Sequence, residues 1–136
     1  MDEQRPVVAA ARCEDYENNK VEEAVTAAMQ ALGGMGRYVK SGQRVVLKVN
    51  LLRASAPDEA IVTHPAVVRA VARLVQREDA TVVIADTPFG RVSENGLRRL
   101  YQTAGLVAVA EETGASLNYD TGSIRVSAPD SGLVQM

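Results

Sequence analysis

Polar side chains follow two apolar stretches of this sequence, at the points where each stretch ends. Lys48 and Asn50 end the run RVVLKVN, and Asp86 and Thr87 come directly after TVVIA. His64, the single histidine, stands between them at the start of a pattern of helical spacing. These five side chains offer an ammonium, an amide, an imidazole, a carboxylate and a hydroxyl. Together with the free N–H groups of a helix start, they suit a small anionic or carbonyl-bearing ligand.

Each of these residues also has a purely structural interpretation. Lys48 could lay its stem on apolar surface and hold its ammonium in solvent. Asn50 could form a turn, and Asp86 with Thr87 could belong to a turn that precedes a helix. His64 could be a helix N-cap, where the positive helix end lowers the pKa of an imidazole and keeps it neutral. A neutral imidazole suits a cap as well as a hydrogen bond to a ligand.

Two strands and the helix between them must position these side chains. Residues 44–49 and 81–85 are short, Val-rich runs that predict strands buried on both faces. Residues 65–78 carry apolar side chains at helical spacing, and the proline that opens this segment suits a first helical position. Residues 51–63 show no period and predict a long loop, which in a compact domain often serves a site.

The segment before these elements predicts one more strand and one more helix. Residues 7–11 (VVAAA) form a continuous apolar run that predicts a buried first strand. Asn19, with Glu22 three positions later, predicts the start of a helix. Gly33 and Gly34 predict its end, because glycine readily adopts the left-handed conformation of a helix C-terminus.

The segment after these elements is less regular. Ser93 predicts the cap of a short helix, and residues 106–113 predict another helix that Gly114 ends. Weaker patterns predict a fourth strand at residues 116–119 and a fifth at residues 124–127.

Strands and helices that alternate along a chain imply parallel pairing with right-handed crossovers. The expected fold is therefore α/β, a three-layer, Rossmann-like open sheet that is mostly parallel, with helices on both faces. We expect a single domain over residues 1–128 and a loop or truncated C-terminal end at residues 129–136. Ligands of such sheets bind outside the carboxyl ends of the strands. The candidate ligand-binding residues expected to share this rim are Lys48, Asn50, His64, Asp86 and Thr87.

The composition narrows the class of partner. The chain has 136 residues, 46% of them apolar, and 15 Lys and Arg against 17 Asp and Glu, for a net charge of -2. This balance provides no general attraction for nucleic acid or an anionic membrane. The charged residues at the start and the lack of an apolar run of about 20 residues predict neither a signal peptide nor a membrane span. We therefore expect a cytoplasmic protein with no nucleic-acid or membrane partner.

The cysteine, histidine and arginine residues predict no cofactor within this chain. Cys13 is the single cysteine, so the chain alone can form neither a disulfide nor the cysteine set of an iron–sulfur cluster. We expect a buried, inert thiol there rather than a nucleophile. No zinc-ligand spacing and no glycine-rich phosphate motif occurs. Arg69, Arg73 and Arg77 repeat every fourth residue and predict a solvated helix face, with contact to phosphate or a partner as the alternative.

Three stretches in order resemble domain of unknown function family 362. They are residues 39–52 (VKSGQRVVLKVNLL), 63–71 (THPAVVRAV) and 83–88 (VIADTP). The family typically has Lys-Pro-Asn where this chain has Lys48-Val49-Asn50, and Gly-Asp-Ser-Pro where it has Ala85-Asp86-Thr87-Pro88. Compared with these family motifs, the chain keeps the polar residues Lys48, Asn50 and Asp86 but lacks the proline and the glycine. Family members are usually longer, and many carry a ferredoxin-like cluster domain downstream, so this chain is similar to their N-terminal part.

Two functions from different classes follow from these observations. The first is the ligand-binding part of a larger, redox-linked protein, in which Lys48, Asn50 and His64 hold an anionic ligand that Asp86 and Thr87 orient. An iron–sulfur cluster would then belong to a downstream domain outside this chain. The second is a noncatalytic scaffold that docks such a domain or a partner protein. The expected partners are a small anionic molecule and either a C-terminal domain or a second copy of the chain, and no residue is assigned a catalytic role.

Overall fold

The computed structural model of the chain describes residues 7–88 and 93–123. Its sheet has three strands, β1 (Arg44–Lys48), β2 (Thr81–Ala85) and β3 (Ser116–Leu117), side by side in the order β1-β2-β3. Both pairings are parallel. The carboxyl ends of β1 and β2 therefore lie at the same edge of the sheet, as the predicted rim requires.

Within residues 7–88 and 93–123, four α-helices connect or precede the strands. They are α1 (Asn18–Ala31), α2 (Pro65–Gln76), α3 (Glu94–Thr103) and α4 (Leu106–Thr113). The predicted caps at His64 and Ser93 are present, since each side chain accepts a backbone N–H of the first turn of its helix. Four helices and an open, all-parallel sheet confirm the predicted three-layer, Rossmann-like α/β class.

Helix α2 is packed on two opposite sides. Val68, Ala72 and Val75 join the main core, which includes Val82 and Ile84 of β2. Ala66 and Ala70, roughly half a turn away around the helix, pack against Val21 of α1 in a smaller cluster. Helix α1 therefore lies on the side of α2 that faces away from the sheet, and α2 also contacts α4.

The predicted first strand at residues 7–11 is wrong for this structure. These residues form neither strand nor helix, and Val7 and Val8 are 74% and 87% exposed. A strand exists only when a neighbouring backbone completes its hydrogen bonds. An apolar run of valines and alanines predicts the propensity for a strand but cannot supply that neighbour.

The first strand of the sheet, β1, is less buried than its sequence predicts. It lies at an edge of the described sheet, and its side chains alternate between exposed and half-buried. Val46 is 54% exposed although it stands within an apolar run. Strand β2, at the centre, has the expected burial, with Val82, Val83 and Ile84 all below 9% exposed. The position in the sheet, which the sequence does not state, accounts for the difference.

The predicted solvated face of arginines is wrong for Arg69, whereas Arg73 is half-buried and Arg77 is exposed. Arg69 is 6% exposed, and its Nε lies 2.8 Å from a carboxylate oxygen of Glu112 on α4. The Glu22 carboxylate of α1 accepts hydrogen bonds from Nη1 of Arg69 at 3.1 Å and from Nη1 of Arg73 at 3.2 Å. It also forms a salt bridge with Arg77. The arginines of α2 therefore form an ionic cluster that joins α1, α2 and α4.

Cys13 is exposed rather than buried, because it lies in the extended segment that precedes α1. Helix α1 itself begins one residue before the predicted cap, and the side chain of Glu17 rather than that of Asn19 accepts the terminal N–H. The predicted strand at 124–127 and the end segment at 129–136 lie outside the described residues. Within the described ranges, no helix combines the length and the apolarity needed to cross a bilayer.

Candidate functional site

An ion pair joins the ends of β1 and β2. Lys48 is the last residue of β1 and stands beside Ala85, the last residue of β2, in the parallel register. The next residue after β2 is Asp86, whose Oδ1 contacts Nζ of Lys48. Parallel pairing thus brings together two charged residues that are 38 positions apart in the sequence.

The two partners differ sharply in exposure. The side chain of Asp86 is 4% exposed, whereas that of Lys48 is 69% exposed. Asp86 Oδ2 also accepts the backbone N–H of Leu51 at 2.7 Å, and Leu51 is fully buried. No described residue donates an aligned hydrogen bond to Asp86 Oδ1, and the adjacent Lys48 ammonium compensates its charge. The carboxylate thus ties the start of the loop after β1 to the end of β2.

The Lys48 ammonium keeps free hydrogen-bonding capacity. It donates to the carbonyl of Val49 at 2.7 Å and contacts Asp86. An ammonium carries three N–H groups, so one donor remains for solvent or a ligand. Because Asp86 is buried and fixed, the ammonium is held at the rim instead of sampling the surface freely.

Asn50 closes the base of the loop between β1 and α2. Its backbone N–H donates to Oγ1 of Thr63 at 2.9 Å, and its carbonyl accepts the N–H of Thr63 at 3.1 Å. Its side-chain amide donates to the carbonyl of Ile61 at 3.0 Å. The loop is ordered by these bonds and by a single 3-10 turn, Pro57–Glu59. The amide nitrogen of Asn50 carries two N–H groups, and one described partner engages one of them, so the second N–H and the amide oxygen can contact a ligand.

His64 caps α2 and stacks on an aromatic ring. Its Nδ1 accepts the backbone N–H of Ala66 at 3.2 Å, so in the neutral imidazole the proton is on Nε2. Burial lowers the pKa of His64, which favours this neutral form. The ring lies parallel to that of Tyr16, with centroids 3.8 Å apart and planes inclined by 16°.

A cleft of about 570 Å³ opens beside this stack. Its lining residues are Tyr16, Pro57, Asp58, Ala60, Val62 and His64. Neither Lys48 nor Asp86 belongs to that lining, so the predicted residues do not converge in one cavity. The Lys48–Asp86 pair and the cleft at His64 are therefore two separate places, with the base of the loop between them.

The model of the family "Domain of unknown function (DUF362)" matches residues 45–135, a stretch that includes all but the first residue of β1, the loop, α2, β2 and Asp86. The chain belongs to this family. It is also 34% identical over 121 residues to the Thylakoid-associated protein sll1697 of Synechocystis sp. (strain ATCC 27184 / PCC 6803 / Kazusa). No solved structure gives a significant match.

This DUF362 chain corresponds to only part of that relative. The matched stretch is 85% of the chain but 37% of the Synechocystis protein. The DUF362 match contains Lys48, Asn50, His64, Asp86 and Thr87, so all five candidate residues lie within the family domain.

Thr87 completes the rim of this DUF362 domain. It follows Asp86 directly and is exposed. The structure pairs Lys48 with Asp86, which Thr87 follows along the chain, whereas Asn50 holds the loop base and His64 faces the separate cleft.

Three features of this region were not found from the sequence. The Leu51 N–H that binds Asp86 is a backbone group, which no residue pattern reveals. Tyr16 reaches His64 from a segment 48 positions earlier in the sequence, and only tertiary packing joins them. Tyr101 of α3 is fully buried and donates to the carbonyl of Asn118 at 2.9 Å. Burial, more than the nearby charge of Asp86, raises the pKa of Tyr101.

Proposed function

We propose that this chain is the ligand-binding part of a longer DUF362 protein, and that it binds a small anion at the strand exits, where Lys48, Asp86 and Thr87 lie beside the loop base held by Asn50. The single observation that supports this function is the Lys48–Asp86 pair, in which a buried carboxylate holds an exposed ammonium at the exit of two parallel strands. Ligands of open parallel sheets bind at such exits.

The tethered ammonium suits recognition of an anion for a physical reason. A free lysine loses side-chain conformational freedom when it binds, and that loss weakens binding. Asp86 and the carbonyl of Val49 already restrict Nζ of Lys48, so less freedom remains to be lost. Because Asp86 also neutralises part of the charge, we expect weak binding of an inorganic anion, and tighter binding of a ligand that adds contacts to Thr87 or Asn50.

Inorganic phosphate and acetate are the probes for this site. Each is titrated separately into the ¹⁵N-labelled chain at constant ionic strength, and backbone amide shifts are followed by NMR. We expect saturable shifts around residues 48–51 and 86–87 that Lys48→Met abolishes. Lys40→Met is the matched control, because Lys40 is an exposed lysine near the opposite end of β1 whose Nζ also donates to a backbone carbonyl, that of Gly36. Equal titration curves for the two variants would contradict the proposal.

The redox link belongs to the same proposal. Iron–sulfur clusters are held mainly by several cysteine thiolates, and this chain has Cys13 alone. The described residues also contain no group of three or more His, Cys, Asp or Glu side chains arranged for a metal ion. A cluster would therefore be held by a different domain of the longer protein. Visible absorption of the longer protein, purified without oxygen, tests this: a cluster should be present there and absent from the isolated chain.

A scaffold function has one observation in its favour. Val46 is 54% exposed within a strand whose sequence is typical of burial on both faces, and Leu52 beside the rim is 61% exposed. A docked domain or a second copy of the chain would cover such residues. Val46→Asp should leave this chain folded and disrupt that contact, as measured by light scattering of the chain and by co-purification with the remainder of the longer protein. If both measurements are unchanged, the scaffold function loses its support.

The cellular location is a separate proposal. The composition predicts the cytoplasm, whereas the name of the Synechocystis relative associates that protein with the thylakoid. Immunodetection in separated soluble and membrane fractions of the source cells distinguishes the two locations.

A further inference from the structure

The outer edge of β1 presents backbone groups that no described residue pairs with. Strand β1 is the first in the order of the described sheet, and β2 is its only partner strand among the described residues. The carbonyl of Gln43 accepts the N–H of Thr81, and the N–H of Val49 donates to the carbonyl of Ala85. Because the N–H and C=O groups of successive strand residues point to opposite sides, the odd-numbered residues of this stretch bond to β2. The residues at 44, 46 and 48 therefore direct their N–H and C=O groups away from β2.

Such an edge is a template for one more strand. The outward N–H and C=O groups of an edge strand are satisfied when an extended segment lies beside them. In this mode of recognition, the main-chain hydrogen bonds provide affinity and alternate side chains provide specificity. The side chains of β1 therefore decide which segment fits.

These side chains differ between the two faces of the strand. Arg44, Val46 and Lys48 lie on one face, because side chains alternate along a strand. Arg44 is exposed, Val46 is 54% exposed, and the Lys48 side chain is 69% exposed. Val45 and Leu47 on the other face are half-buried and pack against the main core. The edge thus offers a cation, an apolar side chain and a cation on one face, and the margin of the core on the other.

The complementary segment has a definite chemistry. Opposite charges on neighbouring strands stabilise the pairing, whereas like charges destabilise it. A fitting segment therefore has a carboxylate beside Arg44, an apolar side chain beside Val46 and a carboxylate beside Lys48. The residues between these lie beside Val45 and Leu47 and are apolar, because they extend the core. The pattern acidic-apolar-apolar-apolar-acidic reads the same in both directions, so it fits parallel and antiparallel addition alike.

A second copy of this chain does not contain that pattern. Nowhere in residues 1–136 do two acidic residues stand four positions apart. The matched stretch is 37% of the Synechocystis relative, so most of the length of that protein lies outside the match. We propose that the open edge of β1 adds an extended segment of the remainder of the longer protein, with this acidic and apolar pattern. This docking rests on the scaffold function proposed above and supplies its surface and its partner.

A synthetic peptide tests the pattern directly. The peptide acetyl-Thr-Glu-Val-Val-Val-Glu-Thr-amide is titrated into the ¹⁵N-labelled chain at constant ionic strength, beside an otherwise identical peptide with lysine in place of both glutamates. We expect saturable amide shifts at residues 44, 46 and 48 that exceed those at 45 and 47, whose N–H groups already face β2. The glutamate peptide should bind more tightly than the lysine peptide. Equal affinities, or no binding of the glutamate peptide, would overturn the proposal.

N-methylation of the peptide shows whether a strand is added. In an extended segment, alternate N–H groups point to the same side, so only one of the two alternate sets faces β1. One peptide is methylated on the two glutamates and the central valine, and another on the two flanking valines. One of these peptides should lose binding, and the other should keep most of it. Retention by both peptides, or loss by both, would contradict pairing along the edge.

Charge reversal on the strand tests the side-chain contact. Arg44→Glu should weaken binding of the glutamate peptide about threefold to tenfold and strengthen binding of the lysine peptide, because it replaces an attraction by a repulsion. Arg99→Glu is the matched control, since Arg99 is an exposed arginine of α3, outside the sheet, and the change in net charge is the same. Equal effects of the two variants would show that the net charge of the chain, and not the edge, attracts the peptide.

Val46→Pro separates this docking from the two functions proposed above. The Val46 N–H faces away from β2, so proline removes an edge donor without breaking a bond between β1 and β2. Circular dichroism checks the fold, and Val46→Thr is the control that keeps the N–H. Val46→Pro should abolish both peptide binding and co-purification with the remainder of the longer protein, and leave the phosphate shifts unchanged. Co-purification that survives Val46→Pro but not Val46→Asp would keep the scaffold function and overturn strand addition.

Discussion

Lys48 and Asp86 pair across the ends of β1 and β2 with opposite exposures, 69% for the lysine side chain and 4% for the aspartate side chain. Such a pair fixes an exposed charge through a buried one. It also fixes the loop after β1, because Asp86 accepts the N–H of Leu51 at 2.7 Å. Asp86 therefore stabilises the fold and also positions the Lys48 ammonium at the site.

Asp86→Ala should destabilise the fold by about 2–4 kcal/mol. The substitution leaves the buried Leu51 N–H without an acceptor and removes the partner of Lys48. Asp86→Asn keeps an acceptor oxygen and should lose about half as much. Urea unfolding followed by circular dichroism measures both changes. An Asp86→Ala variant as stable as the wild type would show that the loop does not depend on this carboxylate.

Arg69→Met should destabilise the chain by about 2–4 kcal/mol, because the buried guanidinium pairs with both Glu22 and Glu112 and its removal leaves those carboxylates short of partners. The matched control is Arg98→Met, which breaks an exposed pair with Glu94 within α3 and should change the urea midpoint little. Equal losses of unfolding free energy in the two variants would mean that burial of the ionic cluster adds nothing to the stability of the fold.

The ionic cluster should also make stability sensitive to acid. Burial acts to raise the pKa of Glu22, but the hydrogen bond from Arg73 and the charges of Arg73, Arg77 and Arg69 outweigh it, so its pKa lies below the ordinary value of 4.5. A carboxyl with a lowered folded pKa stabilises the fold above its unfolded pKa, and loses that effect as pH falls through the folded pKa. The difference in unfolding free energy between wild type and Glu22→Gln should therefore be constant above about pH 5 and shrink below pH 4.5. A difference that stays constant down to pH 3 would contradict the assignment.

His64 predicts a second, milder pH dependence. Its pKa is lowered by burial from the ordinary value of 6.5, so the unfolded chain takes up a proton at higher pH than the folded chain. Folding is therefore favoured above pH 6.5 and weakened as pH falls below it. His64→Asn keeps a cap for α2 and should reduce the loss of melting temperature between pH 7 and pH 5.5. His64→Ala removes the cap and should lose about 1 kcal/mol at pH 7.

The local elements of this chain could be predicted because their signals are local. His64 before a proline, Ser93 and Gly114 mark helix ends through interactions within one turn, and the structure confirms all three. Strands β1 and β2 follow the Val-rich runs closely, and the short β3 lies within the fourth predicted strand. The parallel order of β1 and β2 follows from the helix between them, since a chain that leaves one strand and returns through a helix re-enters in the same direction.

The errors concern interactions between distant segments. Residues 7–11 have the apolar composition of a strand but pair with no neighbouring strand among the described residues. Val46 is of a residue type common in cores, but it lies at an edge of the described sheet. The arginines of α2 form a regular surface pattern, yet Arg69 is buried because α1 and α4 bring Glu22 and Glu112 to it. The sequence of one helix does not indicate which carboxylates of other helices will pack against it.

By itself, the sequence determined the α/β class, the helix caps, the strand ends and the polar residue types gathered there, since spacing and capping act over a few residues. Only the tertiary structure decided which of these residues meet. It paired Lys48 with Asp86, engaged Asn50 in the loop base, and covered one face of His64 with Tyr16. The physical reason is that side-chain contacts depend on positions in three dimensions, and these are set by how the helices and the sheet pack, not by the order of residues within any one of them.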